Sequence, residues 1–213
     1  NIQRQKREKR GIFSFALTGY TNAGKSTLLN RLTQSEVLAE DKLFATLDTT
    51  TRALNLPSCQ KVLVSDTVGF IQNLPHSLIE AFSSTLEEAL NSDAVIIVAD
   101  ASHPDCVKCF DTTMETLSTL GVRDKVKLVV INKVDSIYDD ISYSYLKSQG
   151  IETVETSMKT GEGLDNLLFA MERITDEVFE TISLRLPYSS PILSELSRKE
   201  EIQDIKYEDY SIL

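Results

Sequence analysis

A segment near the start of the chain, GYTNAGKS at positions 19 to 26, carries two glycines, a lysine and a hydroxyl group at the spacing GxxxxGKS. Glycine lets the backbone wrap a polyphosphate with its amides turned inward, Lys25 can reach the outer phosphates, and Ser26 can ligate magnesium. A helix that starts in the same segment would add the positive end of its dipole. The pattern predicts a phosphate-binding loop made by Gly19, Tyr20, Thr21, Asn22, Ala23, Gly24, Lys25, Ser26 and Thr27.

A second motif, DTVG, follows the apolar run that ends at Ser65. An aspartate at a strand end can hold magnesium through the water shell of the ion, and the Gly69 amide can bond a terminal phosphate. The motif alone is weak evidence, because a strand followed by a polar turn often produces it. Its position downstream of the phosphate loop makes it informative. It predicts ligand contacts by Asp66, Thr67, Val68 and Gly69.

A third motif, NKVD at 132 to 135, follows the apolar run at 127–131. The Asp135 carboxylate offers paired acceptors, and guanine is the base whose N1 and exocyclic amine present matching donors. Adenine would leave this carboxylate without partners, and sites built on such contacts reject the wrong ligand strongly. Asn132 would tie the base pocket to the phosphate loop, and the Lys133 stem would lie along the purine. The expected base contacts are Asn132, Lys133, Val134 and Asp135, with Ser157, Met158 and Lys159 after a further strand-like run.

Short apolar runs alternate with amphipathic segments along the chain, which is typical of a mainly parallel sheet covered by helices on both faces. Strands are predicted at 12–17, 61–65, 94–99, 127–131 and 151–154, and helices directly after Lys25 and at 77–91, 104–120, 139–149 and 163–179. Ligands of such sheets bind at the carboxyl ends of the strands, where the polar motifs fall. The expected fold is therefore an α/β P-loop NTPase. A strand at 182–186, a helix at 193–201 and a strand near 205 would add a small α+β appendage.

The composition is that of a globular protein of 213 residues, 41% hydrophobic and 25% charged. The net charge of -10 argues against a protein that coats nucleic acid through its overall field, and we expect no specific DNA partner. No apolar run approaches the roughly 20 residues of a membrane span, so no span is expected. Three cysteines and the lack of a secretory leader pattern favour a reducing cytoplasm. The basic opening NIQRQKREKR fits either a solvated end or a contact for RNA phosphates.

The motifs together resemble one family closely. GYTNAGKSTLLNRLT, LFATLDTTTR, DTVGFIQNLPHSLIEAFSSTLEEA and NKVD are similar to segments of the bacterial HflX proteins, which belong to the translation-factor-related GTPases. The resemblance covers roughly Gly11 to Phe179. It implies binding of GTP and GDP, a magnesium cofactor, slow hydrolysis and association with the ribosome, chiefly its large subunit, including the splitting of stalled ribosomes.

The same resemblance suggests how the chain is organised. Residues 1–10 would be the end of a linker, 11–180 the GTP-binding domain, and 181–213 part of a small carboxyl-terminal domain. By this resemblance, the amino-terminal domain that makes much of the family's ribosome contact would be absent from this chain. We therefore expect this fragment to bind nucleotide well and ribosomes weakly.

A switch loop that senses the terminal phosphate must supply a threonine to magnesium, and the segment 43–52 contains four. Physical reasoning leaves the choice among them open, and the threonines other than the ligand would form no more than a turn and the start of a strand. Similarity to the family pattern FATLD implies that the nucleotide-contacting segment is Phe44, Ala45, Thr46, Leu47 and Asp48. The implied magnesium ligands are Ser26, Thr46 and Asp66, and the implied catalytic residues are Lys25, Thr46 and Gly69.

Phe70 stands directly after DTVG, where many GTPases carry a glutamine that orients the attacking water. A phenyl ring cannot make that hydrogen bond, so intrinsic turnover should be slow, and the ring would either tuck under the second switch or face a partner. The missing group could come from Arg52 as a finger, from a potassium ion held by Asn22, or from a ribosomal partner. The plainer interpretations are a strand residue for Arg52 and a turn residue for Asn22.

Two classes of function stay open at this point. In one, the protein is an enzyme whose chemical step is switched on by the ribosome. In the other, it is a nucleotide-gated binding module in which hydrolysis is incidental.

His103, Cys106 and Cys109 have a spacing that resembles half of a zinc site. The segment also coincides with an expected helix start, with Pro104 in the first turn. The second observation favours ordinary helix residues.

Overall fold

A six-stranded sheet forms the centre of the computed structural model, which describes residues 12–33, 50–67, 69–70, 89–178, 185–187 and 190–192. The strands in chain order are Ser14–Gly19 (β1), Thr50–Asn55 (β2), Lys61–Asp66 (β3), Ala94–Asp100 (β4), Val126–Asn132 (β5) and Glu152–Thr156 (β6). Their order across the sheet is β2-β3-β1-β4-β5-β6. All neighbours are parallel except β2 and β3, which confirms the predicted mainly parallel α/β sheet.

The central strands form because their sequences are apolar on both faces. All six residues of β1 are buried, and so are the first six of β4. Such continuous apolar runs are expected where helices cover both faces of a parallel sheet. The predicted strand at 12–17 instead occupies Ser14–Gly19, because its pairing with β4 continues to the rung that joins Gly19 and Val98.

Four helices cover the two faces of the sheet within the described residues: Lys25–Leu32 (α1), Cys106–Thr119 (α2), Asp140–Lys147 (α3) and Leu164–Asp176 (α4). Leu28 of α1 and Met171 of α4 belong to one buried apolar cluster together with Ile96. Phe110 of α2 lies in a second cluster with Ile97. Successive side chains of a strand point to opposite faces, so the helix pairs α1 with α4 and α2 with α3 lie on opposite sides of the sheet.

The exception to the parallel order is β2, an antiparallel edge strand that is mostly exposed. The sequence predicted no more than the start of a strand here. Thr50 of β2 pairs with Asp66 of β3, the last residue of that strand. The first residue of β2 therefore lies directly beside the DTVG motif.

Several predicted features lie outside the described residues. These are the basic opening, the segment 43–49, nearly all of the predicted helix at 77–91 and nearly all of the carboxyl-terminal appendage. Among the helices that are described, none is long and apolar enough to cross a membrane.

Candidate nucleotide-binding site

The phosphate loop connects β1 to α1 at the carboxyl edge of the sheet, between Gly19 and Lys25. Gly24 has a φ of 98°, and a Cβ atom on it would collide with the side-chain nitrogen of Asn132. Any side chain here would thus be strained and would also push the third motif away from the loop. The glycine is required by the close approach of the two motifs.

Lys25 is the most buried ionisable group of the loop, with 6% of the residue exposed. Its Nζ donates to the carbonyl oxygens of Gly19 at 3.3 Å and Tyr20 at 3.0 Å. Burial lowers the pKa of Lys25 to about 8, and the nearby charge of Asp66 opposes this shift. The ammonium group is held inside the loop rather than in solvent.

Ser26 and Asp66 form the oxygen-rich part of the site. The Ser26 Oγ donates to Asp66 Oδ2 at 2.6 Å, and Asp66 is 2% exposed. Hydroxyl and carboxylate oxygens are the hard ligands that magnesium prefers. The two side chains are therefore a suitable donor set for a divalent cation beside the phosphate loop.

The DTVG motif packs directly against the phosphate loop. Thr67 Oγ1 donates to the Leu17 carbonyl at 2.7 Å, which fixes the start of the motif on β1. A Cβ on Gly69 would stand 2.9 Å from Lys25 Nζ and 2.8 Å from Thr21 Cα. The absence of a side chain at Gly69 thus lets the motif contact the loop, while Val68 lies outside the described residues.

Phe70 is 3% exposed and belongs to the apolar cluster that also contains Ile97 and Phe110. Its amide donates to the Gly19 carbonyl at 3.0 Å, and its carbonyl accepts from the Thr21 amide at 3.0 Å. The ring thus points into the core, and of the two orientations anticipated from the sequence it takes the buried one. A water-positioning side chain is not provided at this residue.

Asn132 connects the third motif to the phosphate loop. Its Nδ2 donates to the Ala23 carbonyl at 2.9 Å, and its Oδ1 accepts from the Met158 amide at 3.3 Å and from Thr156 Oγ1 at 3.4 Å. With 1% of the residue exposed, this amide is a buried junction of β5, β6 and the loop. Unmaking these hydrogen bonds would cost about 1–3 kcal/mol for each buried group left without a partner.

Asp135 lies at a more open position, in a short 3-10 helix at Val134–Ser136. Ser157 Oγ donates to Asp135 Oδ1 at 2.7 Å, and Lys159 Nζ lies 3.9 Å from Asp135 Oδ2. The hydrogen bond from Ser157 holds the pKa of Asp135 below its ordinary value. The carboxylate is therefore ionised at neutral pH and available as an acceptor pair.

Lys133 crosses from the third motif to the phosphate loop, where its Nζ donates to the Asn22 carbonyl at 3.2 Å. It also donates to Asp100 Oδ2 at 2.7 Å. Asp100 is not among the site residues predicted from the sequence. The available signal was its place at the carboxyl end of β4, the edge at which the other polar motifs lie.

The described members of the predicted site thus gather along one edge of the sheet, with Thr27 half-buried in α1. Phe44, Ala45, Thr46, Leu47, Asp48 and Val68 lie outside the described residues.

Among the described residues, the hydrogen bonds of Arg52 are made at the end of α1 and not at the phosphate loop. Its Nη1 donates to Asn30 Oδ1 at 2.8 Å and to Thr33 Oγ1 at 3.1 Å, at the end of α1. It is a strand residue that braces a helix end, the plainer of the two interpretations.

The residues with zinc-like spacing lie at the start of α2. Cys106 begins the helix, two residues after the predicted start at 104. His103 Nδ1 accepts from the Asp105 amide at 3.0 Å, and no cluster of three metal-ligating side chains occurs in the described parts of the chain. Burial raises the pKa of the Cys109 thiol to about 11, so it is neutral at physiological pH. Cys106 and Cys109 lie in α2, and together with His103 they line a cavity of about 220 Å³ that also borders the phosphate loop.

Comparison with known proteins agrees with this geometry. A family model described as "50S ribosome-binding GTPase" matches residues 14–133, more than half of the chain. The chain belongs to this GTPase family.

Curated relatives confirm the resemblance to HflX proteins. The GTPase HflX of Lacrimispora saccharolytica is 51% identical over 173 residues, which are 81% of this chain and 40% of that protein. The GTPase HflX of Akkermansia muciniphila is 45% identical over 197 residues, 88% of this chain and 44% of that protein. The chain thus spans less than half the length of the relatives that it matches.

Solved structures agree on the P-loop GTPase fold. A GTP-binding protein from Sulfolobus solfataricus in complex with GDP superposes with a TM-score of 0.65 and 26% identity, covering 84% of this chain and 57% of that one. Era of Aquifex aeolicus superposes with a TM-score of 0.59 at 23% identity, over 84% of this chain and 60% of that one. The second likeness concerns the fold alone.

Proposed function

We propose that this chain binds GTP and GDP with magnesium and hydrolyses GTP to GDP and phosphate. The main support is the junction at Asn132, through which the phosphate loop and the NKVD motif share one site. A guanine nucleotide has matching parts: a polyphosphate for the loop and a pair of base donors for Asp135. The relatives named GTPase HflX support the same activity.

Magnesium would be held by Ser26 and Asp66, whose hydroxyl and carboxylate oxygens fit the ion. By resemblance, Thr46 would be the third protein ligand, from outside the described residues. When bound, the ion would neutralise charge on the outer phosphates.

In hydrolysis, the oxygen of a water forms a bond to the terminal phosphorus as the bond to the bridging oxygen breaks, which releases GDP. Lys25 stabilises the negative charge that develops on the phosphate oxygens, since an ammonium in a dry site acts strongly. The amide of Gly69 bonds the terminal phosphate. Phe70 contributes no hydrogen bond to the water, so we propose that turnover is slow until a partner or ion supplies that group.

The partner we propose is the large ribosomal subunit, with ribosome splitting as the role of the complete protein and cytoplasmic ribosomes as its location. The description of the matching family, a 50S ribosome-binding GTPase, supports this partner.

Single-turnover GTP cleavage tests the proposal. The chain would be assayed alone and with large ribosomal subunits, in potassium and in sodium buffer, with Lys25→Ala as the inactive control. Stimulation by subunits is expected, and stimulation by potassium that is lost in Asn22→Ala would support an ion held by Asn22. Tight GTP binding without cleavage under any condition would favour the nucleotide-gated module. The burial of Phe70 supports that alternative, because this residue offers no hydrogen bond to an attacking water. No binding of either guanine nucleotide would overturn the function altogether.

A further inference from the structure

Asp100 ends β4 at the carboxyl edge of the sheet, in register with Asn132 of β5. Both of its carboxylate oxygens are engaged. Oδ1 accepts from the Ser102 amide at 2.9 Å and from Ser102 Oγ at 2.6 Å, while Oδ2 accepts from Lys133 Nζ at 2.7 Å. Ser102, in the turn after the strand, fixes the Asp100 carboxylate, and this carboxylate fixes the Lys133 ammonium.

The lysine joins two strained segments of backbone. Lys133 has a φ of 63° and Asn22 a φ of 62°, and the Nζ of the first donates to the carbonyl of the second. Left-handed backbone at non-glycine residues costs free energy and persists where surrounding contacts over-determine it. Asp100 supplies such a contact, because it holds the lysine at the position from which it reaches Asn22.

Two effects of Asp100 on an anionic ligand can be separated by their sign. As a negative charge near the phosphate loop, it would repel a polyphosphate, and its removal would tighten binding. As the anchor of Lys133, it keeps a long flexible side chain in one conformation, and its removal would weaken binding through lost rotamer order. The Asp100 side chain is 14% exposed and the Lys133 side chain 32%, so this pair is shielded from much of the solvent.

We propose that Asp100 is a positioning residue of the nucleotide site: by holding the Lys133 ammonium against the phosphate loop, it strengthens binding of GDP and GTP alike. The base is still chosen by Asp135. This inference rests on the proposed function, since it requires that the Lys133 stem lies along the bound purine.

The test compares Asp100→Asn with Asp93→Asn in the same chain. Asp93 directly precedes β4 and also accepts two hydrogen bonds from one serine, Ser14, at 2.8 Å and 2.7 Å, but at the opposite edge of the sheet. Calorimetry with GDP and GTP should give affinities weakened about tenfold in Asp100→Asn, with the ratio of guanine to xanthine nucleotide affinities unchanged. Asp93→Asn should lower the melting temperature and leave both affinities as in the parent.

A double-mutant cycle with Lys133→Met separates positioning from a general structural role. If Asp100 acts through Lys133, adding Asp100→Asn to Lys133→Met should cause no further loss of affinity. A full additive loss, or unchanged or tighter binding in Asp100→Asn alone, would overturn the inference. Failure of the parent chain to bind GDP would instead refute the proposed function.

Discussion

The charged side chains of the two halves of the site differ sharply in their exposure to water. On the phosphate side, Lys25 and Asp66 are 6% and 2% exposed. On the base side, the side chains of Asp135 and Lys159 are 20% and 84% exposed. Electrostatic interactions strengthen as water is excluded, so the phosphate side should dominate affinity. The base side should act mainly through directed hydrogen bonds, which decide which base is accepted.

Comparing two lysines gives the largest expected effect. Lys25→Ala should weaken GDP binding about 1,000-fold, because it removes a buried cation from the phosphates. Lys159→Ala, at the exposed end of the site, should change the affinity by less than about threefold. Calorimetry measures both, and thermal melting checks that each variant is folded. Equal losses in the two variants would contradict the proposed difference between the halves.

Changing the base-reading carboxylate should alter selectivity rather than affinity for phosphate. Asp135→Asn replaces an acceptor with a donor, so we expect the preference for guanine over xanthine nucleotides to fall by about 100-fold or more. Competition between labelled GDP and xanthosine diphosphate measures this ratio. Unchanged guanine selectivity would refute the assignment of Asp135.

The depressed pKa of Lys25 predicts a pH dependence on the phosphate side. Only the ammonium form attracts phosphate, and the free protein loses that proton near pH 8, so this group should leave GDP affinity unchanged below pH 7. It should fall by up to about tenfold per pH unit above 8. Lys25→Arg keeps its charge in this range and should show a weaker but pH-independent affinity. A steep dependence in the arginine variant would point to another group.

The same pKa shift has the opposite consequence for folding. Between about 8 and the ordinary value of 10.5, the unfolded chain keeps the Lys25 proton while the folded chain has lost it. The unfolded state then binds more protons, so this group makes the free energy of unfolding rise with pH in that window. Urea unfolding without nucleotide, at pH 8 and pH 10, measures this contribution against Lys25→Met.

A smaller effect is expected at the hydrogen bond that orients Asp135, the proposed base-reading carboxylate. Ser157→Ala removes the donor to Asp135, so we expect GDP affinity to fall about fivefold at neutral pH with guanine preference retained. The pKa of Asp135 should rise toward its ordinary value, because the Ser157 hydrogen bond is the main cause of its depression. The loss of affinity on acidification should therefore begin at a higher pH than in the parent. If GDP affinity fell at the same low pH in Ser157→Ala as in the parent, Ser157 would not control the pKa of Asp135.

The sequence predicts most of the sheet, because strands buried on both faces have continuous apolar runs. That signal is present in β1, β3, β4 and β5, and a loop motif follows β1, β3 and β5. It is weak in β2, whose single buried residue is Leu54, and this strand was anticipated only at its start. Edge strands carry less apolar sequence because one of their sides faces water.

The candidate site was predictable where the residues are neighbours in sequence and less so where they meet through pairing. The phosphate loop and the NKVD segment are local motifs, and the structure brings them together through Asn132. The contact between Asp100 and Lys133 depends on the register of β4 against β5, which joins residues 33 positions apart. The sequence Asp-Ala-Ser at 100–102 is typical of an ordinary turn, so no local pattern indicated that Asp100 belongs to the site.

The pairing of Thr50 with Asp66 couples the edge hairpin of β2 and β3 to the buried carboxylate of the site. A displacement of the Thr50 backbone would act directly on Asp66, because the two residues are paired in the sheet. Movement of this outer strand would therefore displace the carboxylate that we propose as a magnesium ligand.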